Sequence, residues 1–225
     1  MNAKIYTIGF WSGLIAFVAL FLFFVVQSLQ VLGVLHFPWD QILIFGFSLC
    51  IPLPFLIAML ALHYITPSEK KFWTHGALIF TTLYVAFVTA NYVVQLATVI
   101  PTTMQGNEDD IKILMQTPHS LFWDFDAMGY IFMGLATLFA LPAFERKGFQ
   151  KWVRYSFLLH VATTPLICFV YFCPAFSNTL LPFAIPWAIT ALAAMLMLAL
   201  FCKKNSVEAN SAKPSRFTIV KAPKI

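Results

Sequence analysis

The side chains best suited to chemistry in this chain lie between residues 89 and 137. Asn91 and Gln95 are four positions apart, and an acidic linker separates them from His119, Asp124 and Asp126. Amide groups donate and accept hydrogen bonds, whereas carboxylates and imidazoles can act as general acids and bases. This stretch therefore combines residues that can bind a polar molecule with residues that can move a proton.

Acid–base chemistry would require a carboxylate beside a histidine. The candidate catalytic residues are Asp126 or Asp124, with His119 or His160 as the partner. Structural roles account for the same residues, because the helix dipole favours a carboxylate in the first turns of a helix. A histidine inside a membrane helix can simply hydrogen-bond to a neighbouring helix. The sequence alone does not decide whether the protein is an enzyme.

A second set of polar residues has the spacing expected for the lining of a binding pocket. Its members recur at intervals of three, four or seven residues, which places them on one face of each predicted helix. Polar side chains inside a membrane are costly, so they face other helices or a water-filled cavity. The candidate ligand-binding residues are Gln27, Gln30, Asn91, Gln95, Thr98, Asp126 and Tyr130. Alternatively, the amides only join neighbouring helices, at about 0.6 kcal/mol each.

Neither a metal nor an organic cofactor is expected. A zinc site requires three or four converging ligands, and the chain contains no HExxH motif and no CxxC pair. The GxSxG motif of a serine hydrolase is absent as well.

The composition indicates a membrane protein. The chain is 60% hydrophobic and 10% charged, whereas soluble proteins are about 45–50% apolar and about 25% charged. A spanning helix needs roughly 20 apolar residues, and six runs are long enough. We predict an all-α, polytopic transmembrane bundle with six spans, at about 7–35, 41–65, 72–100, 118–144, 152–173 and 181–202. Residues 203–225 are predicted to form a basic cytoplasmic tail that is disordered.

The basic residues predict which ends of the spans face the cytoplasm. Six spans place all 14 Lys and Arg residues except Lys112 on one side of the membrane. Positively charged loops remain in the cytoplasm, so both termini are expected there and the acidic linker outside. The basic residues of these cytoplasmic loops also account for the net charge of +5, and no nucleic-acid partner is expected.

Prolines lie at matching places in the two halves of the chain. Pro52 and Pro54 lie in the second predicted span, and Pro165 lies in the fifth. Spans broken by proline at matching places in inverted halves are typical of transporters with a site at the membrane midplane. Proline is also common in membrane helices generally, so the pattern has a second explanation.

The C-terminal half carries a family resemblance. Gly129-Tyr130 leads to Gly134-Leu-Ala, a basic turn precedes Gln150-Lys-Trp-Val, and the last span runs into Lys203-Lys204. This pattern resembles uncharacterised six-helix bacterial membrane proteins of the DUF4386 type. The resemblance implies six helices and a bacterial inner membrane. It assigns no catalytic residue, because that family has no assigned activity.

We therefore predict an integral membrane protein of the bacterial inner membrane that binds or moves a small amphipathic or lipid-like molecule. The polar pocket would open outward between the first, third and fourth spans. One alternative is a membrane-embedded lipid-modifying enzyme that uses Asp–His acid–base chemistry. Another is an accessory or structural subunit. Membrane lipids are expected partners, and a second membrane protein or a second copy of the chain is left open.

Overall fold

The structure is a computed structural model that describes residues 2–211, and these residues form only helices and short connections. The α-helices are α1 (Asn2–Val31), α2 (Trp39–Leu49), α3 (Pro52–Ile65), α4 (Lys71–Val94), α5 (Ile100–Met104), α6 (Leu121–Ala140), α7 (Gln150–Phe172) and α8 (Ile185–Ser211). Six stretches, numbered spans one to six, are long and apolar enough to cross a membrane: Ala3–Val31, Trp39–Ile65, Ser68–Met104, Leu121–Ala143, Gln150–Phe172 and Asn178–Ser211. The all-α architecture with six apolar helices is confirmed, and it is that of a multi-pass membrane protein.

The first span shows why lipid suits this chain better than water. α1 buries Ala16 and Leu20 against the rest of the protein, but it leaves Phe21 and Val25 about half exposed on its outer side. A helix that is apolar on every face is buried in protein or in lipid. Helices also satisfy their own backbone hydrogen bonds, which a bilayer requires.

The spans form a closed ring in chain order. α1 packs on α2 and α3, α3 on α4, α4 on α6, α6 on α7, α7 on α8, and α8 returns to α1. Short connections make neighbouring spans antiparallel. The core lies along the axis of the ring and includes Phe55, Met133 and Met195, each about 1% exposed.

Proline and its neighbours interrupt two spans. α2 ends before Cys50, and α3 restarts at Pro52, where a missing N–H has the least effect. In span three, α4 passes through a π-helical segment, Gln95–Val99, into α5. The next residue after Ile100 is Pro101, which has no N–H for a regular helical bond.

The predicted break in the fifth span is wrong. α7 continues through Pro165 as a single helix. The carbonyl that loses its helical N–H partner is that of Val161, four residues before Pro165. Proline is tolerated in membrane helices, where one such loss does not break the helix. The two halves therefore do not share a proline break.

The two ends of the ring differ in charge. At one end, which we call the basic end, Lys70 forms an ion pair with Glu145, and Lys203 and Lys204 lie over Phe10 and Phe149. The opposite end, the loop end, carries residues 105–120, which connect α5 to α6. The Lys and Arg residues of the described chain lie at the basic end, apart from Lys112 in this loop.

Several predicted boundaries differ from the structure. α8 continues to Ser211, so residues 203–211 of the predicted disordered tail are helical, because Lys, Glu and Ala extend an existing helix easily. Residues 212–225 of the predicted tail lie outside the described residues. Span one begins at Ala3 and ends at Val31, earlier than predicted at both ends, while span three extends to Met104.

The start of the fourth span is also later than predicted. Helix α6 begins at Leu121 rather than at residue 118, because Ser120 is the N-cap. Its hydroxyl oxygen accepts a hydrogen bond from the backbone N–H of Trp123 at 3.2 Å. Thr117 and Pro118 form part of a turn before the helix instead.

Candidate ligand site around Asp126

Asp126 is the centre of a buried hydrogen-bond network near the loop end. Its side chain is 1% exposed. The Oδ1 atom accepts from the Tyr92 hydroxyl at 3.2 Å and from the Asn91 amide at 3.4 Å. The Oδ2 atom accepts from the Tyr171 hydroxyl at 2.6 Å and from the Gln116 amide at 2.9 Å. The carboxylate thus receives two donors on each oxygen, which matches its acceptor capacity.

The four donors to Asp126 are all neutral. Among residues 2–211 the ion pairs are Lys70–Glu145 and Lys112–Asp109, and neither involves Asp126. Buried charges in proteins are normally paired with a counter-charge or a metal. An ionisable side chain at membrane depth is by default a sign of function. Asp126 is therefore the residue of this protein that most needs a functional explanation.

The loop at residues 105–120 folds onto this network through Gln116. In addition to its bond to Asp126, Gln116 accepts from the Asn91 amide at 2.9 Å and donates its backbone N–H to Gln95 at 3.1 Å. The Gln95 amide donates to the carbonyl of Leu114 at 2.7 Å. Residues 114–116 therefore cover the carboxylate from the loop end.

Helix α4 and the π-helical segment position the two buried amides. Asn91 and Gln95 lie one turn apart, and the Gln95 amide donates to the Asn91 side-chain oxygen at 3.3 Å. The π-helical segment begins at Gln95, whose carbonyl accepts from the N–H of Ile100, five residues on. Such segments within α-helices are frequent at functional sites.

A glycine allows α6 to approach α4 closely beside the network. A Cβ atom on Gly129 would lie 2.3 Å from Cγ1 of Val88, well inside van der Waals contact. The absence of a side chain at this position brings Asp126, one turn earlier on α6, within reach of Asn91 and Tyr92 on α4.

A group of aromatic side chains lies beside the Asp126 carboxylate, on the side that faces the axis of the helix bundle. Tyr171 stacks on Trp123 with ring centroids 4.2 Å apart, and Tyr130 lies 5.9 Å from Tyr171 and 4.3 Å from Trp187. The faces of such rings attract cations, at about 0.5–2 kcal/mol per contact.

A small cavity adjoins the network on the axis of the ring. Its volume is about 20 Å³, and side chains of spans one, two, three, four and six line it, among them Tyr84, Tyr92, Tyr130 and Trp187. Tyr92 therefore connects the cavity with the carboxylate to which it donates. The buried indole nitrogen of Trp187 has no acceptor within the described residues. The cavity thus has aromatic walls and a carboxylate behind one of its tyrosines.

No family model, no curated protein and no solved structure matches this chain. The resemblance to six-helix bacterial proteins of the DUF4386 type stays a prediction. The geometry of the site is therefore the basis on which a function can be assigned.

The structure brings together some of the candidate ligand-binding residues and separates others. Asn91, Gln95 and Asp126 share the network, and Tyr130 packs beside it. Gln27 and Gln30 belong to another group instead. The Gln27 amide donates to Gln30 at 2.6 Å, and the Gln30 amide donates to Asp40 at 2.7 Å. That second group joins α1 to the start of α2.

Thr98 and the other candidate acid–base residues lie outside the network. Thr98, His119 and Asp124 are exposed. His119 occupies the left-handed position, φ 66°, of a turn in which Ser120 N–H donates to Thr117 O at 3.0 Å. Pro118 before it suits the second position of a type II turn, so the turn accounts for His119.

His160 is fully buried, but it faces span six. Its Nδ1 atom lies 3.2 Å from the Thr190 hydroxyl, and its ring centroid lies 5.1 Å from that of Trp187. The hydrogen bonds to Asp126 come from Asn, Gln and Tyr side chains and not from a histidine. Within the described residues, no three His, Cys, Asp or Glu side chains gather as a metal site would require.

Three residues of the network were not among the predicted binding residues. Tyr92 and Tyr171 lie in apolar helical runs, where a tyrosine is easily taken for an interfacial anchor. Gln116 lies in the connecting loop, which is polar and was predicted to lie outside the membrane. Its one signal is the group of apolar residues before it, Ile111, Ile113, Leu114 and Met115, of which Ile111 is 6% exposed and anchors the loop to the bundle.

Proposed function

We propose that this protein binds, and moves within the membrane, a small amphipathic molecule whose positively charged head group pairs with Asp126. The observation that carries the proposal is the buried carboxylate of Asp126, to which four neutral groups donate and which no cation contacts within residues 2–211. An ammonium group would supply the missing counter-charge. Hydrogen bonds between ionised groups are roughly twice as strong as neutral ones.

The surroundings of the carboxylate support this class of ligand. Tyr130, Tyr171 and Trp123 present aromatic rings, which bind organic cations well. The cavity on the axis of the ring is lined by apolar and aromatic side chains, which suits a hydrocarbon chain. A molecule with an amine head and an apolar tail satisfies both parts of the site.

The proposed site is closed to a ligand in this structure. The cavity of about 20 Å³ accommodates no more than a water molecule or two. Gln116 occupies a hydrogen-bonding position on Oδ2 that an ammonium would take. Binding therefore requires that residues 114–116 move away from Asn91, Gln95 and Asp126, which makes this loop segment the gate of the site.

For the cellular setting, we propose the bacterial inner membrane with both termini in the cytoplasm. The concentration of Lys and Arg at the basic end supports this orientation through the positive-inside rule. Under this orientation, the loop end and Asp126 lie towards the outer face. The family resemblance of the C-terminal half supports a bacterial membrane.

Three compounds with the same eight-carbon chain test the function. In nanodiscs containing the protein, octylammonium is expected to raise the midpoint of thermal unfolding, whereas 1-octanol and octanoate are not. A ligand at 100 times its Kd stabilises the folded state by about 2.7 kcal/mol. The shared chain length makes the apolar contribution to partitioning into lipid the same for the three compounds.

Matched variants assign the effect to the site. Asp126→Asn should abolish the stabilisation by octylammonium, whereas Asp124→Asn, an exposed carboxylate on the same helix, should retain it. Gln116→Ala should bind octylammonium more tightly than the original chain, because no amide has to be displaced. Gln105→Ala, an exposed glutamine of the same loop, should leave the affinity unchanged. Equal stabilisation by all three compounds, or in Asp126→Asn, would contradict the proposal.

A further inference from the structure

A cleft at the basic end, far from Asp126, has the character of a second binding site. Its volume is about 500 Å³. Four cationic side chains line it: Lys70, Arg146, Lys147 and Arg154. One carboxylate, Glu145, and an apolar wall that includes Trp73 and Phe144 complete it. We call this feature the basic cleft, and its volume is within the range of about 300–1,000 Å³ that is typical of ligand pockets.

The charges of the basic cleft are not balanced internally. Glu145 pairs with Lys70, and the hydrogen bond and positive charge of Lys70 hold the pKa of this carboxyl below its ordinary value. Arg146, Lys147 and Arg154 have no carboxylate partner among residues 2–211. Three positive charges therefore face one cleft without compensation, and they favour an anionic group there.

Arg154 is held in place for such a role. Its Nη1 atom donates to the carbonyl of Leu141, at the end of α6, at 2.6 Å. This bond holds the guanidinium group beside the end of span four and leaves its other N–H groups to bind an anion. A planar guanidinium matches phosphate oxygens in a bidentate manner, and lysine adds a compact charge.

The cleft lies at the level where phospholipid head groups are found. Trp73 lines it and is 42% exposed, and Trp11 and Trp152 are also exposed at this end of the bundle. Tryptophan is enriched at the membrane–water interface, beside the head groups. The apolar wall of the cleft continues towards Phe139, which contacts Trp73 with ring centroids 6.0 Å apart.

We propose that the basic cleft binds the phosphate head group of an anionic phospholipid. Arg146, Lys147 and Arg154 contact the phosphate, and Trp73 packs against the glycerol and the first part of an acyl chain. Basic pockets between membrane helices recognise lipid head groups in this way. The site is independent of Asp126 and of the function proposed above.

Native mass spectrometry of the full chain released from nanodiscs tests this site. With equal amounts of phosphatidylglycerol and phosphatidylcholine, we expect the protein to retain phosphatidylglycerol. The double variant Arg146→Gln/Lys147→Gln should lower the ratio of retained phosphatidylglycerol to phosphatidylcholine by about tenfold, since it removes two ion pairs with the phosphate and each exposed ion pair is worth roughly a factor of three. Both side chains are exposed, so the variant should fold normally.

The control removes two cations at the same end but outside the cleft. Lys151→Gln/Lys203→Gln has the same net charge, and these lysines lie over Trp152 and Phe10 instead. It should change the ratio less than twofold. Glu145→Gln, which removes the one carboxylate of the cleft, should raise the ratio.

Three outcomes would overturn the proposal. Equal losses in the two double variants would show that only the overall charge attracts the lipid. Retention of both lipids in equal amounts would show no head-group preference. Displacement of phosphatidylglycerol by excess inorganic phosphate would identify a site for free phosphate and not for a lipid.

Discussion

Replacement of Tyr171 by Phe is the most informative single change to the Asp126 network. It removes only the hydroxyl that lies 2.6 Å from Oδ2 and keeps the ring that stacks on Trp123. A hydrogen bond to a charged group is worth about 1.5–3 kcal/mol in general. Side-chain hydrogen bonds inside membranes have measured about 0.6 kcal/mol on average and about 1.7 at most. We expect a loss of about 1–2 kcal/mol, because this bond is short and fully buried.

The expected loss should follow the geometry of each donor. Tyr92→Phe removes a longer bond, 3.2 Å, and should cost about 0.5 kcal/mol. Tyr155→Phe is the matched control, because Tyr155 lies on the same helix as Tyr171 but is 52% exposed. It should change stability by less than about 0.5 kcal/mol. Reversible unfolding in mixed micelles with increasing sodium dodecyl sulfate measures all three.

A double-mutant cycle separates the hydrogen bond from other effects of the substitution. Tyr171→Phe and Asp126→Asn should show a coupling energy of about 1 kcal/mol, within the range of about 0.5–3 that contacting residues give. Additive effects, or a Tyr171→Phe loss no larger than that of Tyr155→Phe, would refute the inference that Tyr171 holds the carboxylate.

Three further changes test other parts of the structure. Gly129→Ala should destabilise the protein by about 1–3 kcal/mol in the same unfolding assay, because the added Cβ overlaps a valine of α4; Gly46→Ala, with nothing within 4 Å, should be neutral or stabilising. Ser120→Ala removes the N-cap of α6 and should cost about 1 kcal/mol, measured as a lower unfolding midpoint. Gln30→Leu breaks the hydrogen bond to Asp40 and should change the affinity for octylammonium less than twofold, since the group of Gln27, Gln30 and Asp40 is separate from the Asp126 network. A larger loss of affinity would show that the two groups are coupled.

The spans could be predicted because the lipid environment requires nearly all residues of a spanning helix to be apolar. A run of 20 or more apolar residues has few other folds available, so the six helices follow from composition and length. Their ends are less predictable, as the extension of α8 to Ser211 shows. Capping residues also decide where a helix begins, as Ser120 does for α6.

The site could be predicted only in part. Asn91, Gln95 and Asp126 meet as their helical spacing indicated, because helix periodicity fixes which residues share a face. The approach of Gln116 from the loop has no periodic signal, and it replaces the predicted open pocket with a closed one. Gln27 and Gln30 have polar side chains at the predicted depth of the pocket, but Gln30 bonds to Asp40 at the start of α2 and not to the Asp126 network. Pairing between helices depends on which neighbour packs closest, and spacing within one helix does not contain that information.

The central claim, that Asp126 pairs with a cationic head group, can be tested by a distance measurement. Solid-state NMR of the protein in lipid, with ¹³C-labelled aspartate side chains and ¹⁵N-labelled octylammonium, reports dipolar contact between the two labels. We predict a contact within about 4 Å, the separation of an ion pair, that is lost in Asp126→Asn and retained in Asp124→Asn. A contact that survives in Asp126→Asn, or no contact in the original chain at saturating octylammonium, would contradict the claim.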